Sequence, residues 1–158
     1  LPRIAVSGHR GMPPETDRLI DQAIRKLLAT MASDITGLSC LADGADQIFA
    51  RAIVEHGGFI EAIVPAQRYR DGLPDEAQPE YDRLLSAARS IHRLEFVDSD
   101  AEAHMTASAY MTDHADELWA VWDGQPARGY GGTADVVAYA REHRVPVRVI
   151  WPEGAQRD

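Results

Sequence analysis

Residues 118–143 read LWAVWDGQPARGYGGTADVVAYAREH, and this run decides the fold. Leu118 to Trp122 is a short apolar stretch of strand-forming residues. Asp123 to Gly132 is a glycine-rich loop, Thr133 to His143 reads as a helix, and Val147 to Trp151 is a second strand. Strand, glycine loop, helix and strand in that order are a βαβ unit, which needs a parallel sheet.

Moving outward, the same alternation covers the chain. Leu1 to Ser7 reads as a first strand and Gly8 to Pro14 as a loop. Glu15 to Ala32 sets Leu19, Ile20, Ala23, Ile24, Leu27, Leu28 and Met31 on one face of a 3.6-residue helix. Ile35 to Leu41 is a second strand. A helix from Ala45 to His56 follows, with Ile48, Phe49, Ala52 and Ile53 at helical spacing, and Gly57 and Gly58 stop it. Phe59 to Val64 is a third strand ended by Pro65, and Ala66 to Pro79 is irregular, a length that marks functional or mobile loops. Glu80 to Arg89 is helical, Ile91 to Val97 is a fourth strand, and Asp100 is placed to cap the next helix. Right-handed crossovers then predict one domain over 1–158, an α/β Rossmann-like three-layer sandwich with a mostly parallel sheet of six strands. In such a fold the ligand crevice lies at the carboxyl ends of the strands, where the strand order reverses.

The bulk composition agrees. The chain has 158 residues, 45% of them hydrophobic and 26% charged, enough for one globular core. No run approaches the roughly 18 consecutive apolar residues of a membrane span, and the opening residues lack a signal-peptide pattern, so a cytoplasmic protein without membrane association is expected. Cys40 is the only cysteine, which excludes an intramolecular disulfide and a cysteine metal cluster. The histidines and acids show no metal-ligand spacing, and neither a metal nor a resident cofactor is expected. A net charge of −9 repels nucleic-acid backbones, so an extended nucleic-acid partner is disfavoured. Lys26 is the sole lysine and asparagine is absent, a coding bias that weakens any single Arg as a sign of phosphate recognition.

Three strand-end loops carry chemistry. In the first, Ser7, Gly8 and Gly11 let a ligand approach the backbone, Arg10 can pair with phosphate, and His9 is a candidate ligand-binding residue; the alternative is a tight turn with a solvated Arg. The second, Ala42-Asp43-Gly44-Ala45-Asp46, puts a glycine at a helix N-terminus where free amides attract anions, unless Asp43 or Asp46 caps those amides from within. In the third, Gly129, Gly131 and Gly132 with Thr133 form a phosphate cradle or a purely structural loop. Asp123, at the end of its strand, can accept from ribose hydroxyls or cap its own turn. The long loop adds Arg68, Tyr69 and Arg70, either a flap with a stacking ring and two cations or plain surface. Trp119, Trp122, Trp151, Met105 and Met111 read as packing.

These loops, in this order, resemble the SLOG superfamily, which unites Lonely Guy phosphoribohydrolases, molybdenum-cofactor carrier-like proteins and DNA-processing protein A. Ile4 to Arg10 is similar to the opening strand and Gly-Ser-Arg turn of the DNA-processing branch. Ser39-Cys40-Leu41-Ala42-Asp43-Gly44-Ala45-Asp46 is similar to its Ser-Gly-Leu-Ala-x-Gly-Ile-Asp motif, and Gly131-Gly132-Thr133 to the Gly-Thr end of the Lonely Guy signature Pro-Gly-Gly-x-Gly-Thr-x-x-Glu. The departures matter as much. The signature's catalytic glutamate falls on Val136, next to Asp135, and its Arg-Lys pair falls near Ala107 and Ser108.

The leading expectation is therefore binding, as a sensor or carrier, of a nucleotide or nucleotide-derived phosphorylated small molecule, without turnover. The alternative is an N-glycosidic hydrolase acting on a nucleoside monophosphate, with Asp135 or Asp46 as acid-base group and Arg10 or Arg128 as phosphate clamp. A single-stranded nucleic-acid-processing partner comes third. The resemblance also implies a homodimer or larger homo-oligomer.

Overall fold

In the computed structural model, which describes residues 2–157, strands and α-helices alternate along the whole chain. The order is β1 (Arg3–Gly8), α1 (Pro14–Leu28), β2 (Thr36–Ser39), α2 (Ala45–Glu55), β3 (Phe59–Ala66), α3 (Gln78–Ala87), β4 (Ser90–Phe96), α4 (Ala101–Asp113), β5 (Glu117–Val121), α5 (Thr133–Glu142) and β6 (Val147–Ile150). All neighbouring strands run parallel, in the sheet order β4-β3-β2-β1-β5-β6. This is the expected α/β Rossmann-like sandwich. The chain winds from β1 out to β4 and then returns to lay β5 and β6 on the other side, so the order reverses between β1 and β5. That reversal opens the crevice in which such folds bind ligands.

Local chemistry explains the elements. Pro14 opens α1, where its missing N–H costs nothing, and Glu15 and Asp17 in the first turn and Arg25 and Lys26 in the last complement the helix dipole. Ile20, Ile24 and Leu28 are buried at helical spacing. At α4 the Asp100 carboxylate accepts the Ala103 N–H at 2.9 Å, the expected cap. The central strands are buried on both faces: α2 packs against β1, β2 and β3, while α4 and α5 pack on each other and on β1. Trp119 of β5 and Phe49 of α2 meet edge to face with centroids 5.8 Å apart, both fully buried. A pair of that kind adds about 0.5–1.5 kcal/mol beyond its area burial and ties β5 to α2, the two elements that flank β1.

The structure corrects several boundaries. The start of the first expected strand, Leu1, lies outside the described residues. β3 runs through Pro65 to Ala66 rather than stopping before it, and its pairing with β4 shifts register between Val64 and Ala66. Proline has no N–H for the ladder, so the sheet absorbs it as an irregularity. The helix expected to reach Ala32 ends at Leu28, because the N–H groups of Thr30 and Met31 bond to Leu27 and Leu28 in tighter turns. The segment expected to be irregular holds two short 3-10 turns, Arg70–Gly72 and Asp75–Ala77. Among the described residues no helix is long and apolar enough to cross a membrane.

Candidate functional site

A cleft of about 220 Å³ opens at the carboxyl ends of the strands, at the β1/β5 reversal. The β1 loop contributes Ser7, Gly8, His9 and Arg10; the turn into α2 contributes Ala42 and Asp46; the glycine loop contributes Gly131, Gly132 and Thr133. Three loops far apart in the chain, from Ser7 to Thr133, thus meet in one hollow, as the sheet order requires.

Close backbone approach makes this possible. A Cβ at Gly8 would lie 2.3 Å from the Ala45 Cβ and 2.7 Å from the Val121 Cβ, so only glycine lets β1, β5 and α2 converge. Gly44, the residue before α2, has φ 85° and ψ −132°, and a Cβ there would sit 2.6 Å from the His9 carbonyl oxygen. The Ala45 N–H donates to that same carbonyl at 3.2 Å. Just upstream, Leu41 is held at φ 60°, a conformation unfavourable for a branched side chain. Ser39 supports it: the fully buried Oγ accepts the Leu41 N–H at 3.0 Å and donates to the Asp46 carbonyl at 3.1 Å. In this turn Ser39, Gly44 and Asp46 each have a defined local role.

Neither Asp43 nor Asp46 caps α2, contrary to that sequence alternative. Asp43 instead forms an ion pair with Arg10, with Nε 2.9 Å and Nη2 2.8 Å from Oδ1. Asp46 accepts the Ala42 N–H in a long 3.4 Å contact and turns toward the cleft. Burial pushes the Asp46 acid up to about 7, Asp43 adds to the rise, and Ala42 and Arg10 oppose it. At neutral pH this group is near its midpoint.

His9 is 4% exposed and its Nε2 accepts the Asp123 N–H at 3.0 Å, so its proton resides on Nδ1. Burial lowers its pKa, Arg157 adds to the lowering and Asp123 opposes it, which keeps the ring neutral at pH 7. Trp151 lies edge-on to His9 with centroids 5.5 Å apart. Asp123 is used within its own turn: Oδ1 accepts the Gln125 N–H at 3.0 Å and lies 3.2 Å from His9 Nε2. Of its two sequence alternatives the turn cap is the arrangement present, and Asp123 does not line the cleft.

The glycine loop leads directly into α5, whose N-cap Gly132 has no side-chain cap. Thr133, its first residue, is buried and borders the cleft. Asp135 accepts the Gly131 N–H at 2.8 Å, which holds the loop and takes that carboxylate away from the cleft lining. Gly131 at φ 87° is 3.1 Å, by its would-be Cβ, from the Ala101 carbonyl of α4. The Gly129 carbonyl accepts the Gly132 N–H, and Arg128 is exposed and outside the lining. Trp122 donates to the Gln125 carbonyl at 2.8 Å and braces the same loop. Val136 and Ala107, where the Lonely Guy catalytic residues fall, are both buried in the core.

Tyr69, the candidate stacking ring of the long loop, lines the cleft, as do Val6, Cys40, Pro65, His104, Ser108, Met111 and Arg157, none of which the sequence marked as site residues. Tyr69 is buried and packs edge to face on His104 at 5.7 Å, whereas Arg68 pairs with Asp98 and Arg70 makes two hydrogen bonds to Asp82. The long loop therefore delivers its ring to the cleft and turns both cations to acids at the surface. Met111, read as packing, also contacts the cleft, with its sulfur 4.0 Å from the Cys40 thiol. Burial pushes that thiol well above its ordinary range, so it is no nucleophile at neutral pH. His104 bonds Ser99 at 2.8 Å and its pKa is lowered by burial and by Arg10. Among the described residues no three histidines, cysteines or acids gather as a metal-ligand set.

The sequence matches no protein-family model and no curated protein. Solved structures do match. DNA processing protein A from Streptococcus pneumoniae superposes with a TM-score of 0.70 at 17% identity, over 98% of this chain and 52% of that one. The chain thus spans about half the length of that protein. DNA processing protein A from Helicobacter pylori, described with its single-stranded DNA binding mode, has a TM-score of 0.68 at 14% identity, over 99% of this chain and 68% of that one. The molybdenum cofactor binding protein of Rippkaea orientalis has a TM-score of 0.62 at 15% identity, over 94% of this chain and 75% of its own. The chain has the Rossmann-like fold that these DNA-processing and molybdenum-cofactor-binding proteins share, the fold implied by the SLOG resemblance.

Proposed function

We propose that this protein binds a phosphorylated, nucleotide-derived small molecule in the cleft between the ends of β1 and β5, as a sensor or carrier. One observation carries the reading: three glycine-bearing strand-end loops converge on a single hollow at the strand-order reversal. The α5 N-terminus, uncapped by any side chain, presents amides and the Thr133 hydroxyl to an anion. Tyr69, Pro65 and Met111 offer an apolar wall for the rest of the ligand. A hollow of about 220 Å³ is the size for a sugar phosphate or part of a nucleotide. The molybdenum cofactor is the ligand named for the Rippkaea orientalis protein.

A second reading is favoured by Asp46. A carboxyl that lines the cleft and titrates near 7 can donate or take a proton at neutral pH, as cleavage of an N-glycosidic bond requires. Asp135, engaged with Gly131, is the weaker acid-base candidate. Single-stranded DNA, the partner described for the Helicobacter pylori protein, is disfavoured by the net charge of −9. We place the protein in the cytoplasm and expect a homo-oligomer, for which the exposed apolar residues Ile91 on the edge strand β4 and Val97 just beyond it offer contact surface.

Native mass spectrometry with a mixture of purine nucleotides, ribose phosphates and dinucleotides tests these readings together. A retained, intact nucleotide supports a sensor or carrier. Separated base and ribose phosphate, abolished by Asp46→Asn, would establish the hydrolase instead. Wild-type protein that binds none of the mixture would overturn the proposal.

A further inference from the structure

Two cations line the cleft, Arg10 and Arg157, and they differ in how they are held. The Arg10 guanidinium is committed to Asp43 by two contacts under 3 Å. Arg157 has no carboxylate within ion-pair distance among the described residues. It lies in the segment after β6, outside all three loops, and two devices bring it to them.

The first device is a turn. After Pro152 the chain reverses through Gly154 at φ 90°, and the Ala155 N–H donates to the Pro152 carbonyl at 3.0 Å. The second is a clasp on α1. The Thr16 hydroxyl, 2% exposed, donates to the Gln156 carbonyl at 2.9 Å and accepts the Gln156 N–H at 2.9 Å. A single side chain thereby satisfies both backbone groups of the residue before Arg157. Such a two-way bond between residues 140 apart fixes position and direction together. Its result is a guanidinium at the cleft wall, beside the ends of β1 and β5. The positive field reaches both His9 and Asp123, lowering the pKa of each.

We propose that Arg157 is the cation that meets the ligand's phosphate, that the segment 152–157 is a wall of the binding site, and that Thr16 is its positioning residue. This deepens, and rests on, the reading of the cleft as a phosphate-bearing ligand's site. The arrangement gives the anion donors from two sides, the start of α5 and the guanidinium, in a protein whose overall charge opposes anions. It also couples ligand occupancy to the anchoring of the segment, since each holds Arg157 in one place.

Equilibrium titrations with adenosine 5′-monophosphate, ribose 5-phosphate and adenosine test it on the full chain and on Arg157→Ala, Arg157→Lys, Thr16→Val and the Thr16→Val/Arg157→Ala double variant. Arg157→Ala is expected to weaken both phosphorylated probes about tenfold to a hundredfold and to leave adenosine unchanged. Arg157→Lys should recover part of the loss. Thr16→Val should weaken the same probes less, and the double variant should be no weaker than Arg157→Ala alone, because the clasp acts through Arg157. Wild-type binding that survives Arg157→Ala would overturn this inference and leave the proposed function standing. Equal losses for adenosine and its phosphate would overturn it too, by exposing a general effect on the fold. A wild type that binds neither phosphorylated probe would overturn the functional reading itself.

Discussion

Two helices here begin at a glycine in the loop that follows a central parallel strand, and the molecule uses them in opposite ways. At α2 the Ala45 amide is taken by the His9 carbonyl, Asp46 folds back on the Ala42 amide, and the Arg10–Asp43 pair closes the outer side. At α5 no side chain caps Gly132, and the one nearby acid, Asp135, reaches away from the helix to the Gly131 amide. The first helix start is filled from within and acts as a joint between β1 and β2. The second faces the cleft. A glycine before a helix is therefore not an anion site in itself; what decides is whether the protein's own acceptors have already claimed the amides.

The largest expected effect falls on the joint. Gly44→Ala forces a Cβ against the His9 carbonyl in a backbone conformation suited to glycine, and should cost about 3 kcal/mol or more, lowering the melting temperature by roughly 6–12 °C. A thermal melt identical to wild type would show that the α2 start is loose and the contrast false. On the open side, Thr133→Val should leave the melting temperature within a few degrees yet weaken adenosine 5′-monophosphate about tenfold, read by calorimetric titration.

Asp46 sharpens the contrast through pH. Its acid is raised from an ordinary 3.8 to about 7, so between these values the folded state holds more protons than the unfolded chain. The contribution to stability is fully present below about 4 and is lost as pH rises through 7. Asp46→Asn should flatten that decline in denaturant titrations run from pH 5 to 8. An unchanged slope would mean that the carboxyl is well hydrated in the cleft. The smallest effect is expected at Arg10: its pair with Asp43 is partly exposed, so Arg10→Gln should change stability by less than about 1 kcal/mol and nucleotide affinity by less than about threefold. A loss as large as that expected for Thr133→Val would make Arg10 a ligand clamp after all.

These regions also differ in how far the sequence could show them. The strands, their parallel order and the three glycine loops follow from local signals: apolar runs of strand length, helical spacing and glycine at strand ends. Residues such as Ser7, Gly132 and Thr133 could be placed at one end of the sheet because each follows the carboxyl end of a strand in a parallel sheet, but that β1 and β5 are the neighbours at the reversal was not legible. The use made of each acid was not legible. Asp43, Asp46 and Asp135 share residue type and sit near helix starts, yet one pairs with an arginine, one faces the cleft and one holds a glycine loop. Only the packing of β1 against α2 and of the loop against α4 distinguishes them. Arg157 was less legible still, because its position depends on a bond to Thr16 across nearly the whole chain. Tyr69 sits between two arginines that both turn to surface acids, and nothing in that triplet tells which side chain faces inward.

The most direct measurement is an amide-resolved nuclear magnetic resonance titration of the wild-type protein with adenosine 5′-monophosphate. The account predicts the largest shifts at Thr133 and Ala134, whose amides no acceptor of the protein claims among the described residues, with smaller ones at Gly44 and Ala45. Shifts centred on residues 44–47 with the α5 start unmoved would contradict it.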